Sequence, residues 1–382
     1  MPHAIALLPW VHCQEALTVG PLRILPYVHG KLPGKQPNAD QADIDAIFGA
    51  YAIRPNVFVK NGAIMELGNW HTGMDVESDQ KAALFRARDA LAFAALSKRQ
   101  LFHGHFNYTN SDAYSLVIQR YQPGSAGSFS FATRRRDTGT SHLWSSTEFA
   151  FQRPHHVSSH WKVEVDEKLL AAVIDFDPGS PLREAMREFN QANTDSSDIP
   201  EHVEMVMMKS AFEWLLGIGS GVNQFVSAVR DGLATVLHDP PKPGPLSDRW
   251  IERWPKAKRP LEMWARDFCD VRGSAAHGAD KAAVRFVWPA RTHLAFASIL
   301  FPLLFKKMLA ADGRLSLDVT DQEQLGTVEK LILVDPLSPD SLSRMDDNSH
   351  PWSEFQFSAR FIARARKWQM ESGPNQSERF DP

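Results

Sequence analysis

The spacing of apolar and polar positions changes near the middle of the chain, around residues 176–199. Before that point, short apolar runs are separated by segments rich in glycine, proline, asparagine and aspartate, which is the pattern of strands and turns. The predicted strands lie at 4–9, 22–27, 56–59, 113–121, 128–133 and 161–165. Residues 77–99 instead repeat alanine and leucine at helical spacing and predict a helix. We therefore expect residues 1–175 to form a mixed α/β domain.

After residue 200 the apolar residues recur every three or four positions, which predicts amphipathic helices. The predicted helices cover 201–216, 222–237, 247–278, 289–309, 321–333 and 352–370. The first four suit a helical bundle around one core. The expected fold class is therefore α+β, with the N-terminal mixed α/β domain followed by an all-α helical bundle. In this scheme 176–199 is a helical linker, 200–313 is the bundle, and 314–382 is a C-terminal helical extension with a disordered tail.

Composition places the chain among ordinary soluble globular proteins, because 43% of its 382 residues are hydrophobic and 23% are charged. The formal net charge of −3 provides no overall basic field, so binding of nucleic acid requires a local basic patch. Cys13 and Cys269 lie far apart in the sequence, which excludes a disulfide framework and favours a reducing, cytoplasmic setting. The longest apolar run, 294–305, is shorter than a membrane span, and the N-terminus lacks the basic start of a signal peptide. No membrane association is therefore expected.

An arginine and a histidine stand five positions apart at the end of the predicted third bundle helix. Arg272 can form two N–H hydrogen bonds to one phosphate, and His277 can accept or donate a proton near neutral pH. Together they are sufficient for RNA cleavage without a metal ion, if the ribose 2′-hydroxyl is the nucleophile. Positions 272 and 277 are about 140° apart around an ideal helix, so one regular helix does not bring both side chains together. Either the end of the helix unwinds, or two copies of the chain meet.

The segment 272–278, with the sequence RGSAAHG, resembles the R-x4-H signature of the HEPN superfamily and is closest to its ApeA-type branch of bacterial defence proteins. The resemblance covers about residues 200–313 and implies a HEPN-like helical bundle with the signature at the end of its third helix. It also implies a homodimeric endoribonuclease that needs neither a metal ion nor another cofactor. RNA, including tRNA, is the implied substrate.

The resemblance assigns roles to residues of this sequence. Arg272 would hold the scissile phosphate and His277 would carry the proton transfer, with the two motifs facing each other across the homodimer. Glu213 matches the acidic position on the first helix of ApeA-type domains, and Asp270 and Ser274 lie beside the motif as supporting residues. The implied setting is bacterial anti-phage defence or toxin-like RNA cleavage, with a phage-derived trigger or a regulatory partner controlling the activity.

Two basic clusters outside the motif are candidate RNA-binding surfaces. One follows a glycine- and serine-rich turn, where a hairpin tip would present it to phosphates. The other recurs on one face of the predicted last helix and would lie along RNA or against a protein partner. Each cluster is also compatible with an ordinary solvated surface. The first consists of Arg134, Arg135 and Arg136, and the second of Arg360, Arg364 and Lys367.

The residues leave two other functions open. Gly273 stands where the family often has Asn, Asp or His, and this departure together with the acidic net charge favours a non-catalytic module that binds RNA or a nucleotide. A metal hydrolase would use N-terminal histidines as ligands. Those histidines are His103, His105, His142, His155, His156 and His160. His103 and His105 lack a clear acidic partner, and His155 and His156 follow Pro154 in a predicted loop, so no metal site is expected.

Overall fold

The computed structural model describes residues 3–31, 39–101, 108–124, 126, 129–131, 141–143, 150–157, 164–234, 247–277, 286–342 and 350–355. It shows a mixed α+β fold in which an N-terminal sheet region is followed by a helical region, as the sequence predicts. The described residues divide into two compact units. The sheet unit contains those of 3–99, 108–178 and 193–199, and the helical unit contains 100–101, 179–192 and those from 200 onward.

The sheet unit is built mainly from antiparallel strands. These strands are β1 (His3–Leu8), β2 (Leu17–Val19), β3 (Leu22–Val28), β4 (Tyr51–Arg54), β5 (Val57–Phe58), β6 (Asn61–Leu67), β7 (Val117–Tyr121), β8 (Phe129–Phe131), β9 (Ser141–Leu143) and β10 (Phe151–Gln152). The largest sheet has five strands in the order β2-β3-β6-β1-β7, all antiparallel to their neighbours. A second sheet joins β10, β4 and β5, with β10 parallel to β4, and among the described strands β8 and β9 form a sheet of two.

The strand predicted at 113–121 is shorter in the structure. Its first residues belong to a single 3₁₀ turn, Ser111–Tyr114, and the strand begins only at Val117. The side chain of Asn110 accepts a hydrogen bond from the backbone N–H of Ala113, which caps the turn and competes with strand pairing. Of the strand predicted at 161–165, residues 164–165 are not in a strand, and 161–163 lie outside the described residues.

Three helices complete the sheet unit: α1 (Gln41–Phe48), α2 (Ser78–Leu96) and α3 (Glu167–Val173). Helix α1 was not predicted from the sequence, although Asp40 caps it by accepting a hydrogen bond from the N–H of Ala42. Its Phe48 ring stacks on Tyr27 of β3, with 3.7 Å between the ring centroids. A side chain at position 62 of β6 would place Cβ only 2.6 Å from this ring. Gly62 is therefore needed for α1 to pack this closely on the sheet.

The helical unit contains α4 (Pro181–Gln191), α5 (Glu201–Leu216), α6 (Val222–Leu233), α7 (Ser247–Arg253), α8 (Pro260–His277), α9 (Ala290–Ala311), α10 (Val319–Thr327) and α11 (Pro339–Leu342). Aromatic side chains fill its centre. Phe212 of α5 contacts the rings of Phe225 on α6, Trp264 and Phe268 on α8, and Phe301 on α9. Burial of each such ring contributes about 2–3 kcal/mol to folding. One shared aromatic core thus joins α5, α6, α8 and α9.

The long helix predicted at 247–278 is wrong, because the structure divides it into α7 and α8 with a connector at 254–259. Two prolines explain the break. Pro255 disfavours a helical conformation at Trp254, the residue before it. Pro260 occupies the first position of α8, where proline is favoured because its missing N–H needs no partner. The apolar stripe continued across both segments, and for that reason the periodicity alone suggested a single helix.

Helix α9 is the most apolar helix of the described chain. It is long and apolar enough to cross a membrane, but 67% of its most hydrophobic window is buried inside the protein. The same property is found in the core helices of soluble proteins. Pro302 lies inside this helix without ending it.

The C-terminal elements follow α9 in part as predicted. The first half of the helix expected at 321–333 belongs to α10. The second half is a 3₁₀ segment, Val328–Leu333, that follows α10 directly. Of the helix predicted at 352–370, residues 352–355 are helical, in a helical segment that begins at 351. The remainder of that segment lies outside the described residues.

Candidate functional site

Helix α8 carries both residues of the predicted catalytic pair. The helix continues from Pro260 through His277, so its end does not unwind before the histidine. Positions 272 and 277 are therefore about 140° apart around the helix axis and about 7.5 Å apart along it. The side chain of His277 lies outside the described residues. The backbone alone places Arg272 and position 277 on different faces of one helix.

Arg272 is a half-buried cation on α8, the helix that packs against α5. Its Nε atom is buried and has no hydrogen-bond partner among the described residues. Leaving such a donor without an acceptor costs about 1–3 kcal/mol. Phosphate oxygens are acceptors that match the planar guanidinium group. Arg272 thus has a donor suited to an anionic acceptor, which no acceptor among the described residues occupies.

Glu213 is held by a buried lysine. Lys209 Nζ lies 2.6 Å from Glu213 Oε1, and the lysine side chain is only 3% exposed. The same Nζ atom lies 4.5 Å from the ring centroid of Phe225. An ion pair and a cation–π contact together compensate for the burial of the ammonium group. Sequence reasoning missed Lys209; the available signal was a lysine at a core position of an apolar helix face.

The thiol of Cys269 lies near the charged side chains of both α5 and α8. The charges of Lys209, Glu213 and Arg272 all act on its thiol, so α5 and α8 bring the three side chains into one neighbourhood. Burial raises the pKa of the Cys269 thiol to about 12, and the positive charge of Lys209 opposes this shift only in part. The thiol is protonated at neutral pH and does not supply a nucleophile.

Asp270 and Ser274, the other predicted supporting residues, have different surroundings. Asp270 Oδ2 accepts a hydrogen bond from Arg253 Nη2 of α7 at 2.9 Å. Burial raises the pKa of the Asp270 carboxyl above its ordinary value, and Arg253 offsets part of that shift. Ser274 is buried, and its Oγ atom has no partner among the described residues. Asp270 therefore links α7 to α8, whereas the Ser274 hydroxyl has capacity for a further hydrogen bond.

Gly273 lies on the same face of α8 as Asp270 and position 277. Apart from its own helix backbone and chain neighbours, no described atom would lie within 4 Å of a Cβ atom added at Gly273. Packing therefore does not require glycine here, and the space beside it is open.

A buried aspartate on α8 forms hydrogen bonds to residues 287–288 and to the first turn of α9. Asp267 Oδ2 accepts hydrogen bonds from the backbone N–H groups of Val287 and Trp288, at 3.1 and 3.3 Å. It also accepts one from His293 Nε2 of α9 at 3.0 Å, and both side chains are fully buried. The apolar periodicity of the sequence does not identify this pair, although each residue interrupts an apolar stripe. Asp267 thus fixes 287–288 and α9 against the helix that carries the candidate site.

The Asp267–His293 pair predicts a pH-dependent stability of the helical unit. Burial lowers the pKa of His293, and its hydrogen bond to Asp267 opposes that shift only in part. Below about pH 6.5 the unfolded chain gains a proton that the folded chain does not, so stability falls as the pH drops. The expected contribution is at most about 1.4 kcal/mol per pH unit.

Urea unfolding of wild type and His293→Gln at pH 7.5, 6 and 5 measures this contribution. Glutamine keeps an N–H donor but has no titration in this range. Wild type is expected to lose additional stability below about pH 6.5, relative to the variant. If the two proteins lose stability in parallel, His293 does not cause the pH dependence.

Several predicted residues lie outside the described part of the chain. Among the described residues, no group of three or more histidine, cysteine or acidic side chains could hold a metal ion. His156 does have an acidic neighbour, because its Nε2 atom lies 2.9 Å from Asp112 Oδ2. The predicted RNA-binding residues outside the described part are Arg134, Arg135, Arg136, Arg360, Arg364 and Lys367. The histidines outside it are His103, His105 and His160, and the side chain of His142 is also outside it.

Comparisons with known proteins add no family to this picture. No family model, no curated protein and no solved structure matches the chain.

Proposed function

We propose that this protein is a metal-independent endoribonuclease of HEPN type, in which Arg272 of one chain and His277 of a second chain act on the same phosphate. The observation that carries this proposal is that α8 stays helical through position 277. A regular helix keeps the two side chains of one chain apart, whereas a twofold-symmetric pair of helices can bring one of each together. The resemblance of segment 272–278 to the R-x4-H signature supports the same assignment.

The proposed reaction requires only groups of the RNA and these two residues. The ribose 2′-oxygen forms a bond to phosphorus, and the bond between phosphorus and the 5′-oxygen breaks. The proton of the 2′-hydroxyl is accepted by imidazole, and imidazolium supplies a proton to the departing 5′-oxygen, which suits the pKa of histidine. Arg272 stabilises the charge that develops on the non-bridging oxygens. The products are a 2′,3′-cyclic phosphate and a 5′-hydroxyl.

Glu213 has a supporting role in this scheme. Its carboxylate, fixed by Lys209, lies in the neighbourhood of Cys269 that Arg272 shares. A negative charge there favours a defined orientation of the guanidinium group before RNA binds. Bacterial anti-phage defence in the cytoplasm, with a phage-derived trigger or a regulatory partner, is the proposed setting. The resemblance supports this setting, and the use of only two cysteines agrees with a reducing compartment.

The composite site is tested by mixing two inactive variants. Arg272→Ala and His277→Ala are each expected to be inactive on tRNA and total RNA in the presence of a strong chelator. A mixture that has exchanged subunits is expected to regain up to about a quarter of wild-type activity, because half of the dimers then hold one intact pair. Detection of a 2′,3′-cyclic phosphate end identifies the reaction.

Two outcomes contradict the proposal. If the variants exchange subunits, as shown by a tag on one of them, and activity does not return, the two residues do not act across a dimer. If wild-type cleavage disappears with the chelator, the reaction depends on a metal ion.

A non-catalytic RNA- or nucleotide-binding module is the second candidate function. The open space at Gly273, where the family often has Asn, Asp or His, favours it. An unoccupied Arg272 donor would bind phosphate equally well without cleavage. Stoichiometric binding of RNA without turnover, under conditions in which the protein is dimeric, distinguishes this function from the nuclease.

A further inference from the structure

The segment from α7 to the start of α8 is locally basic in an acidic chain. Residues 247–259 contain five lysine or arginine residues and two acidic residues, whereas the whole chain has a net charge of −3. Such a local patch is required for binding of nucleic acid by a protein without a basic overall field. The contacts of the five cations show which of them are available to a ligand.

Three of the five side chains form contacts within the protein, and two of these, Arg249 and Arg259, hold parts of the helical unit together. Arg259 forms hydrogen bonds to Glu329, with 2.7 Å between Nη2 and Oε2, and thereby ties the connector 254–259 to the C-terminal part of the helical unit. Arg249 Nη2 donates to the backbone carbonyls of Phe286 and Val287, at 3.4 and 3.1 Å. These two arginines are structural, because their donors satisfy acceptors within the fold.

The lysines of the connector have a different environment. Lys256 and Lys258 are both exposed, and neither forms an ion pair with another described residue. They lie two positions apart in a segment whose ends are fixed by α7 and α8. Two solvated ammonium groups in a short fixed segment present a defined pair of positive charges to solvent.

Arg253 extends this charge toward α8 and is held in place from two sides. Its Nη2 atom lies 2.9 Å from Asp270 Oδ2, and its guanidinium carbon lies 5.0 Å from the ring centroid of Trp254. A planar guanidinium held between a carboxylate and an aromatic ring loses little conformational freedom on binding a ligand. Arg253 still has donors for a phosphate or a π-face for a base.

Arg253, the last residue of α7, contacts the face of α8 on which position 277 lies. Asp270, which holds Arg253, precedes position 277 by seven residues, so the two positions are only about 20° apart around the axis and about 10 Å apart along it. Gly273 lies between them, and among the described residues no atom packs within 4 Å of a Cβ placed there. A strand of RNA on this face would pass from the candidate cleavage site to Arg253 and then to the two lysines.

We propose that Arg253, Lys256 and Lys258 form a binding track for the backbone of single-stranded RNA on one side of the cleavage site. This inference rests on the proposed function and adds to it the residues that hold the substrate. Single-stranded RNA fits because bases leave the backbone accessible to spaced cations and can stack on the Arg253–Trp254 pair. The track has no group that reads base edges, so its contribution is independent of sequence.

The test measures binding separately from cleavage. A single-stranded RNA of about twelve nucleotides, labelled with a fluorophore, is titrated with the full-length His277→Ala protein, and anisotropy gives Kd at several salt concentrations. Lys256→Glu with Lys258→Glu in the same background is expected to weaken binding by about tenfold or more. The plot of log K against log salt is expected to become shallower by about 1.4, as two fewer phosphate contacts require.

The control pair is Lys81→Glu with Lys168→Glu, two exposed lysines of the sheet unit that give the same change of net charge. These variants are expected to leave Kd and the salt slope unchanged. Equal losses in both pairs, unchanged binding in the connector pair, or absence of RNA binding by the parent protein would each overturn the track. One result would reject the track alone. If the connector substitutions leave Kd unchanged in the His277→Ala background, and a chain that keeps His277 and carries the same substitutions still cleaves RNA, the nuclease assignment stands without the track.

Discussion

Replacing His277 with alanine is expected to reduce RNA cleavage by about a thousandfold or more, while the helical unit stays folded. Removal of a general acid–base residue costs about 10²–10⁴ in rate, and here one histidine position serves both proton transfers. The position is at the end of α8, and alanine is the residue most compatible with a helix, so α8 is expected to persist in the variant. The measurement is the initial rate of cleavage of a defined RNA with chelator present, together with the thermal unfolding midpoint of each protein.

His202→Ala provides a matched control. His202 is exposed in the first turn of α5, so its loss is expected to change neither the cleavage rate nor the unfolding midpoint. The rate of the His277→Ala protein is also expected to lose its dependence on pH near neutrality, because histidine is the group that titrates there. Cleavage by His277→Ala at the wild-type rate would reject the assigned role, whatever the behaviour of the control.

The division of the chain into a sheet region and a helical region could be predicted, because the apolar spacing differs between the two. The helical boundaries at Glu201, Leu216 and Val222 also agree with the sequence patterns. Where the structure departs from prediction, a local interaction overrides the periodicity. The prolines at 255 and 260 interrupt a continuous apolar stripe. The side chain of Asn110 converts the start of a predicted strand into a 3₁₀ turn.

The motif residues of the candidate site were predicted, but their neighbours were not. A sequence pattern identifies Arg272 and Glu213 as polar residues of interest. It does not show that the side chain of Lys209, on the same helix as Glu213, is buried and pairs with it. Buried polar pairs depend on contacts between distant segments. Asp267 and His293 are 26 positions apart and meet only when α9 packs against α8. A polar residue within an apolar stripe is the signal that such a pair exists, and it does not identify the partner.

Replacing Asp267 with alanine is expected to destabilise the helical unit by about 3–5 kcal/mol. The substitution removes the single acceptor oxygen of three buried donors, the N–H groups of Val287 and Trp288 and the Nε2–H of His293. Each buried donor left without an acceptor costs about 1–3 kcal/mol. For a unit of this size the thermal midpoint is expected to fall by about 10 °C. Urea unfolding followed by tryptophan fluorescence measures the change, because the Trp288 ring lies 5.6 Å from that of His293.

Asp267→Asn separates the geometry of the acceptor from its charge. All three donors bind the Oδ2 atom, whereas Oδ1 has no partner among the described residues, so an asparagine oxygen at the Oδ2 position keeps every hydrogen bond. The expected loss is therefore smaller, about 1–2 kcal/mol, from weaker bonds to an uncharged acceptor. Asp312→Ala, at an exposed position just after α9, is expected to change stability by less than about 0.5 kcal/mol. A loss below about 1 kcal/mol for Asp267→Ala would show that the pair does not anchor the return of the chain after position 277. An equal loss in the alanine and asparagine variants would show that the negative charge, rather than the acceptor geometry, supports the fold.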